Sequence, residues 1–480
     1  MANVRKTLLI LSLTVACATA AVGQNLPDLG DASAGVLSPQ LERKIGEEAF
    51  RDIRSGNPLF LDDPEITNYV SELGARLTGA SSEARQKFEF FVLRDPSINA
   101  FAMPGGYVGV HTGLLLAAQS ESEIASVLAH EISHVTQHHI ARMVTRGSQI
   151  SSLSIAATIL ALLAARSNPD MAQAAMISAT AGSIQAQLDF SREFEREADR
   201  LGFQLLRDAG FDVHAMPNFF ERLQRAGRFY DNSAPSYLRT HPLTTERISD
   251  MQNRAQSLPY KQVPDGLDFY LVRAKLRAEQ GLPREALAAA ESQVKDRRYA
   301  SQAGARYGLV VALMRSREFV RAEREMVELR KLTQPDPMVE LLAARLRTVR
   351  GDPAGALDVL QSARRAFALD RAVAYALVEA LQSLGRHQEA LAQSDSLIQA
   401  YPTDARLFAM RARSLAATGK SLQLHQALAE QYYLSGSLPA AIEQLQLAQK
   451  AGEGDFYQQS VLEARLRQMR AEMGDRAKLR

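Results

Sequence analysis

The C-terminal half of the chain repeats a helical pattern at a nearly constant period. Alanines recur at Ala286, Ala322, Ala356 and Ala390, and three of them follow a glycine by five residues, at Gly281, Gly351 and Gly385. Their spacing is roughly 34 residues, which is the length of one helix–turn–helix repeat. Helix pairs that repeat at this period cannot bury their apolar faces alone, so neighbouring pairs stack into a solenoid. The pattern therefore predicts an all-α domain over residues 266–475.

Such a period, with a small residue in the second helix, is typical of tetratricopeptide repeats. The next matching pair, Gly436 and Ala441, is half a repeat out of phase with Ala390. We therefore expect one additional helix, roughly Asp404 to Thr418, between two repeats. Arrays of this kind expose a long concave surface, and we expect this domain to bind protein partners.

The preceding part of the chain, residues 37–260, follows a different pattern. Helical periodicity is joined by one strand-like region, at Phe88–Leu93 and Ile98–Leu115, which Pro104-Gly105-Gly106 interrupts. Proline and glycine are the strongest local breaks in a strand pattern. The sequence therefore predicts a mostly helical protein, in which an α+β domain with one small sheet precedes the solenoid.

Composition narrows the possible functions. The chain has 480 residues, 46% of them hydrophobic and 23% charged, which is typical of a globular protein. Its formal charge of +2 and the lack of a dominant basic patch argue against nucleic-acid binding. The single cysteine, Cys17, excludes an intramolecular disulfide and a cysteine-based metal site. A metal site must therefore use histidines and carboxylates.

The first 23 residues have the pattern of a secretory signal peptide. Arg5 and Lys6 precede an apolar run from Thr7 to Ala21, and small residues surround its end. We expect cleavage after Ala20 or Gly23 and export of the mature chain. A lipoprotein signal at Cys17 is the alternative. It is less favoured because Thr14 stands where a branched aliphatic residue is expected.

A second apolar stretch covers residues 153–165. Its thirteen residues are too few to span a bilayer, which needs about 20 residues in a helix. The stretch is either a buried core helix or an interfacial segment that contacts a membrane from one side. In both cases the sequence predicts a soluble or peripheral protein.

The segment His130-Glu131-Ile132-Ser133-His134 has the pattern H-E-x-x-H. Ser120 and Glu123 form a capping box before it, and a buried apolar stripe predicts a helix: Ile124, Val127, Leu128, Ile132 and Val135. Residues four apart project from one face of a helix, so the two histidines can share one metal ion. Glu131 is placed to act as a general base beside that ion.

A catalytic metal site of this kind needs a third protein ligand. The segment Glu195-Arg196-Glu197-Ala198-Asp199 lies in a second helical pattern, and its first and last residues are four apart. Glu195 can therefore bind the metal while Asp199 orients a ligating histidine from behind. Glu193 and Glu197 are rival ligands, although neither has an acidic residue four positions later.

These motifs resemble those of the HtpX-type and CAAX-prenyl-protease-type zinc metallopeptidases, which pair H-E-x-x-H with a downstream E-x-x-x-D. The similarity extends to residues 99–106 and to Thr240-His241-Pro242. With an export signal before this domain and tetratricopeptide repeats after it, the chain is similar to the periplasmic beta-barrel assembly-enhancing proteases. The resemblance implies a gluzincin-type metallopeptidase fold and one Zn²⁺ per chain.

The resemblance also implies a function. It predicts a periplasmic endopeptidase whose substrates are misfolded or stalled outer-membrane beta-barrel proteins, with their assembly machinery as a partner. His241 would be a fourth zinc ligand that holds the enzyme latent. A substrate backbone could pair with the strand that contains Phe101, Ala102 and Met103.

Several alternatives stay open. The oxyanion donor could be any of four residues, namely Tyr237, Arg239, His241 and Arg247. His138 and His139 are expected to face solvent or to join a polar network. The protein could instead be a chaperone or adaptor for outer-membrane protein assembly with a normally latent protease, or a scaffold without a metal.

Overall fold

A computed structural model describes residues 38–81, 86–146, 181–228, 236–452 and 454–479. The predicted signal peptide, residues 1–23, and the apolar stretch 153–165 lie outside these residues. Within them, no helix combines the length and the apolar character that a membrane span requires. Helices dominate both halves of the chain, and the strands form one small sheet. The predicted fold class is confirmed.

The N-terminal half is built around a three-stranded sheet. Helices α1 (Pro39–Gly56) and α2 (Pro64–Gly79) precede strands β1 (Glu89–Leu93), β2 (Ala100–Met103) and β3 (Tyr107–His111). The strand order is β1-β3-β2, with β1 parallel and β2 antiparallel to β3. The predicted break at Pro104-Gly105-Gly106 is a 3₁₀ turn with Gly105 at φ 74° and Gly106 at φ 91°, a conformation that favours glycine.

The prediction that the last strand continues to Leu115 is wrong. The strand ends at His111, and a short helix, α3, follows at Thr112–Ala117. The backbone N–H of Gly113 donates to the carbonyl oxygen of Asp95 at 2.8 Å. A Cβ atom at Gly113 would lie 2.2 Å from the carbonyl oxygen of Pro96. This close approach turns the chain, and an apolar run alone does not distinguish a buried strand from a buried helix.

Six helices then complete the N-terminal half: α4 (Glu121–Thr136), α5 (His139–Arg146), α6 (Ala181–Asp208), α7 (Ala215–Arg228), α8 (Ser236–Thr240) and α9 (Thr245–Gln256). The predicted cap of α4 is present, since Ser120 Oγ accepts from the N–H of Glu123, and the predicted apolar stripe is buried. A Cβ atom at Gly202 would lie 3.0 Å from the backbone nitrogen of His130. This glycine therefore lets α6 approach α4 closely at the H-E-x-x-H motif.

Twelve helices of the described residues form the solenoid. They are α10 (Leu267–Glu279), α11 (Pro283–Lys295), α12 (Gln302–Arg315), α13 (Phe319–Arg330), α14 (Pro337–Val349), α15 (Pro353–Ala366), α16 (Arg371–Ser383), α17 (His387–Ala400), α18 (Ala405–Ala417), α19 (Ser421–Leu434), α20 (Leu438–Lys450) and α21 (Phe456–Leu479). The repeat alanines Ala322, Ala356, Ala390 and Ala441 are fully buried where helices pack. The predicted all-α repeat is therefore present.

The change of phase lies one helix later than predicted. The expected additional helix is present as α18, but α18 is not an isolated insertion. A turn at Gly419, one full repeat after Gly385, joins it to α19, and both glycines have positive φ values. The next such turn, at Gly436, comes only half a repeat later. The half-repeat step therefore falls between Gly419 and Gly436.

The solenoid packs against the N-terminal half of the chain at both of its ends. Lys275 of α10 forms ion pairs with Asp63 and Glu65 at the start of α2, and it is only 2% exposed. Near the other end, the guanidinium of Arg51 on α1 lies 5.9 Å from the ring centroid of Tyr433 on α19. The chain therefore curves back onto its own N-terminal helices.

Candidate metal centre

Four buried side chains converge where α4 and α6 meet, and one ligand atom of each lies within 4.8 Å of the others: His130, His134, Glu195 and His241. Nε2 of His134 lies 3.0 Å from Nε2 of His130. The carboxylate oxygens of Glu195 lie 3.3 Å from His130 and 3.4 Å from His134. Imidazole nitrogens and a carboxylate are suitable ligands for a divalent transition metal. The predicted ligands are thus brought together, and their donor set fits one metal ion.

Local structure explains how each ligand reaches this point. The four-residue spacing on α4 places His130 and His134 on one face, and the same spacing on α6 places Glu195 and Asp199 opposite them. His241 follows the short helix α8, and its N–H donates to the carbonyl oxygen of Tyr237 at 2.8 Å. Nδ1 of His241 lies 2.9 Å from Glu195 Oε1. The predicted fourth ligand is therefore at the site and fully buried.

The charges at the site favour metal binding by Glu195 and His134, whereas His130 must first lose a proton. Burial raises the pKa of the Glu195 carboxyl, but His241 and Arg247 outweigh it and hold this pKa well below its usual range. Burial lowers the pKa of His134 well below its usual value, which keeps the imidazole neutral. For His130, burial is outweighed by the nearby carboxylates of Asp199 and Glu195, and its pKa rises to about 9. A metal ion would have to displace that proton, because only neutral imidazole coordinates.

Asp199 lies behind His130, as predicted. Its Oδ1 is 3.1 Å from Nδ1 of His130. Arg247 of α9 donates to both carboxylate oxygens of Asp199 at 2.6 and 2.8 Å, and its Nη1 lies 3.0 Å from Glu195. A partner of this kind fixes the orientation and tautomer of a ligating histidine. Sequence reasoning missed this role of Arg247, since no spacing connects it to either acidic residue.

His139 supports His134 in a comparable way. Their Nδ1 atoms lie 2.9 Å apart, and the ring of His139 stacks on Phe194. Glu197 lies 3.2 Å from the other ring nitrogen of His139 and also pairs with Arg142. The rival ligand Glu197 is therefore part of a polar network around His139. That network is one of the two alternatives expected for this histidine.

The other rival and the neighbouring histidine lie away from the ligands. Glu193 is exposed on α6. His138 is about one third exposed, and its Nδ1 lies 3.0 Å from a carboxylate oxygen of Glu42 on α1. Neither residue belongs to the four-residue group that could hold a metal ion.

Glu131 lies beside the ligands, and both of its carboxylate oxygens are buried. Neither has a hydrogen-bond partner within the described part of the chain. Nε2 of His241 lies 3.3 Å from Oε1 without hydrogen-bond geometry. A buried carboxylate with free oxygens can accept a proton from a water molecule. This geometry suits the role predicted for Glu131.

The four oxyanion candidates differ in their surroundings. Arg239 is exposed, and Arg247 is held by Asp199 and Glu195. The ring of Tyr237 stacks on His241, and its buried hydroxyl has no hydrogen-bond partner among the described residues. Burial raises the pKa of Tyr237 well above its usual value, so the hydroxyl remains a donor. Nδ1 of His241 contacts Glu195 and His130, whereas its Nε2, like the Tyr237 hydroxyl, has no hydrogen-bond partner among the described residues, so Tyr237 and His241 are the two available donors.

The predicted substrate strand is β2, at one edge of the sheet. Phe101, Ala102 and Met103 are buried, and they pair with Gly109, Val108 and Tyr107 of β3. Just before β2, the carbonyl oxygen of Ile98 accepts from the N–H of Tyr237. This hydrogen bond connects the segment just before β2 to α8, the helix that precedes His241.

A His-Glu-x-x-His helix that faces a glutamate on a second helix defines a metal-dependent peptidase site of the gluzincin type. Comparison with known proteins agrees with this class. The profile of Peptidase family M48 matches residues 63–255. The beta-barrel assembly-enhancing protease of Escherichia coli K12 is 31% identical over 462 residues, which cover 95% of this chain and 93% of that protein.

Two further relatives are similar to this chain. A Vibrio cholerae protein assigned to the beta-barrel assembly-enhancing proteases is 39% identical over 340 residues, 69% of each chain. The mitochondrial metalloendopeptidase OMA1 of Schizosaccharomyces pombe is 31% identical over 230 residues, which cover 47% of this chain and 64% of that protein. The chain therefore belongs to peptidase family M48, in its group of beta-barrel assembly-enhancing proteases, and is a metalloendopeptidase.

Proposed function

We propose that this protein is a zinc-dependent endopeptidase of the periplasm that degrades misfolded or stalled outer-membrane beta-barrel proteins. The observation that carries the proposal is the buried group of His130, His134 and Glu195 with the free carboxylate of Glu131 beside it. The names of the E. coli and V. cholerae relatives support beta-barrel proteins as clients. The signal-like first 23 residues support export.

His130, His134 and Glu195 would hold the zinc ion, which when bound supplies a Lewis acid for peptide hydrolysis. Glu131 would accept a proton from the attacking water and return it to the leaving amine. Tyr237 would donate its hydroxyl proton in a hydrogen bond to the oxygen on which negative charge develops. The edge of β2 would hold an extended substrate backbone, which accounts for activity on many sequences.

The experiment is hydrolysis of an unfolded outer-membrane beta-barrel protein by the purified mature chain. We expect cleavage that a chelator stops and that added Zn²⁺ restores. Glu131→Gln should reduce the rate by at least about 10² while zinc content and client binding remain. The matched control is Glu193→Gln, because Glu193 is exposed and lies outside the ligand group. Equal rates for both variants would contradict the proposal.

One observation favours a second function. His241 contacts Glu131 and Glu195 together and is fully buried, an arrangement that would keep the peptidase shut. The protein would then act mainly as a chaperone or adaptor for beta-barrel assembly, with the solenoid binding clients and the assembly machinery. Full rescue of a deletion phenotype by Glu131→Gln would favour this function, and absence of rescue would favour proteolysis.

Location is tested separately. Mass spectrometry of the mature protein should show an N-terminus after Ala20 or Gly23, and fractionation should place it in the periplasm. Lipid attached to Cys17 would instead support the lipoprotein alternative. An intact Met1 or Ala2 would contradict export by a cleaved signal.

A further inference from the structure

The second edge of the sheet, at β1, opens into a cavity between the peptidase half and the solenoid. Helices α1 and α2 cover opposite faces of the sheet. Ile45 and Ala49 of α1 pack with Phe91, whereas Leu73 and Leu77 of α2 pack in the core that contains Phe90. The edge between the two helices lines a cavity of about 650 Å³. Its far wall is formed by α16, by the start of α18 and by the loop between α17 and α18.

The segment around Phe60 already pairs with one end of the β1 edge. The N–H of Leu61 donates to the carbonyl oxygen of Val92 at 2.9 Å, and the N–H of Arg94 donates to that of Leu59 at 2.6 Å. These two bonds form an antiparallel bridge centred on Phe60 and Leu93. The edge therefore has the geometry to accept an added strand.

The rest of the edge has no such partner. Backbone groups along a strand point to alternate sides, so those of Phe88 and Phe90 point outward in the same direction as those of Val92. No backbone hydrogen bond from the described ranges reaches the outward groups of Phe88 or Phe90. Unpaired edge groups are a template for another extended chain.

The side chains around this edge indicate what would bind. The rings of Phe50, Phe60 and Tyr401 line the cavity and are only half-buried. Such rings offer apolar surface and stacking partners to an aromatic side chain. The cavity thus suits an extended peptide with an aromatic residue.

The charged side chains of the cavity lining also restrict which peptides can bind. Three basic side chains line the cavity without an ion pair to any residue that the structure describes: Arg54, Lys87 and Arg371. The acidic groups of the wall are largely committed, since Asp62 pairs with Arg406 and Asp404 caps α18 and accepts from Tyr375. Glu89 is the remaining acidic side chain of the lining. Basic groups therefore exceed acidic ones, which favours a carboxylate on the ligand.

We propose that the β1 edge binds an extended segment of a client polypeptide that carries an aromatic residue and a carboxylate, separately from the β2 edge beside the metal centre. The client would add a strand next to Phe88 and Phe90, and its carboxylate would lie near Lys87 and Arg371. This inference rests on the proposed function, because the ligand is an unfolded client chain. A client bound there would be held between the solenoid and the peptidase half.

The test is binding of a fluorescein-labelled ten-residue strand-forming peptide that contains phenylalanine and glutamate. It uses the full mature chain with Glu131→Gln, so that no cleavage occurs, and fluorescence anisotropy as the readout. Lys87→Glu with Arg371→Glu should weaken binding about tenfold or more. The control pair, Arg284→Glu with Lys295→Glu on α11, has the same charge change outside the cavity and should stay within about twofold. Equal affinities of the two pairs would overturn the proposal.

A second comparison tests the backbone contact. Phe88→Pro removes an outward N–H at a position where β1 does not need it, whereas Phe88→Ala removes only the ring. The proline variant should bind the peptide several-fold more weakly than the alanine variant. Equal binding would contradict edge pairing.

If the charge or proline variants fail to fold, photo-crosslinking replaces them. A benzoylphenylalanine at Thr403, an exposed cavity residue, should crosslink to the acidic peptide, and the same group at Ser292 on α11 should not. Crosslinking at Ser292 alone or at neither site would overturn the proposal. These readouts do not depend on proteolysis, so a failure of the proposed peptidase activity would appear separately, in the hydrolysis assay.

Discussion

Asp199 Oδ1 lies 3.1 Å from Nδ1 of His130, on the side of the ring that faces away from the other ligands. The same carboxylate accepts two hydrogen bonds from Arg247, which also contacts Glu195. One arginine thus links a ligating carboxylate to the group that orients a ligating histidine. Burial and this guanidinium have opposite effects on Asp199, and the arginine keeps its pKa below the usual value.

Asp199→Asn should weaken metal binding. The amide carries no charge, and its nitrogen cannot accept the second hydrogen bond that Arg247 donates to Asp199, so the His130 ring is held less firmly. Loss of such a partner costs about 10–100-fold in metal affinity, which a competition titration with a chromogenic chelator can measure. Asp208→Asn, on an exposed part of the same helix, is the control. Matching affinities for the two variants would exclude this role of Asp199.

His241→Ala should raise proteolysis of casein. The imidazole occupies space between Glu131 and Glu195, and its removal opens a position for water and substrate. We expect a several-fold higher initial rate at saturating zinc. His214→Ala removes a histidine that is bonded to Asp212 away from the ligands and should leave the rate unchanged. An unchanged or lower rate for His241→Ala would argue against latency.

Lys275→Met should destabilise the junction between the two halves. Lys275 is buried against Asp63 and Glu65, and Arg345 also binds Glu65 at 2.9 Å. Removal of one partner from a buried ionic group leaves an uncompensated charge, which costs roughly 3–5 kcal/mol of unfolding free energy. Arg321→Met breaks an exposed pair with Glu291 and should cost less than about 1 kcal/mol. Urea denaturation of both variants distinguishes these outcomes, and equal losses would contradict the prediction.

Asp336→Asn should stabilise the protein at higher pH. Burial and the nearby Asp268 raise the pKa of Asp336 to about 7, whereas it is near 3.8 in an unfolded chain. The unfolded state releases the proton first, so the wild-type protein loses stability as the pH rises from about 4 to 7. Asparagine can still cap α14, and it removes this loss.

The advantage of Asp336→Asn should therefore grow between pH 5 and pH 8, by on the order of 1 kcal/mol. Thermal unfolding at both pH values measures it. Asp352→Asn provides a control, because Asp352 caps α15 at an exposed position and its pKa is lowered by the N–H of Gly355. A pH-independent effect of Asp336→Asn would refute the assignment.

Three of the four ligands could be predicted because helix periodicity places them together, whereas His241 was expected only from the family resemblance. Four-residue spacing places His130 beside His134 and Glu195 beside Asp199 in any regular helix. The contact of Arg247 with Asp199 could not be predicted, since it depends on how α9 packs against α6. The cavity beside the β1 edge could not be predicted either. It lies between segments that are far apart in the sequence, so no local pattern indicates it.

The solenoid shows a different limit of prediction from the sequence. The period of the repeats was visible because a small residue marks the second helix of each repeat. Five residues after Gly419, however, the corresponding position is occupied by Leu424. Leu424 is half-buried there, so packing tolerates a larger side chain and the alanine marker is lost. The expected additional helix was therefore placed correctly, while the change of phase was assigned to the wrong side of it.

Proteolysis by this chain depends on His130, His134 and Glu195 binding one divalent metal ion together. The most direct measurement is the metal content of the purified protein, determined by mass spectrometry for the wild type and for Glu195→Gln. We expect about one zinc per wild-type chain and a large loss in Glu195→Gln, with both proteins folded. A metal-free wild-type protein, or equal zinc in the two proteins, would contradict this expectation.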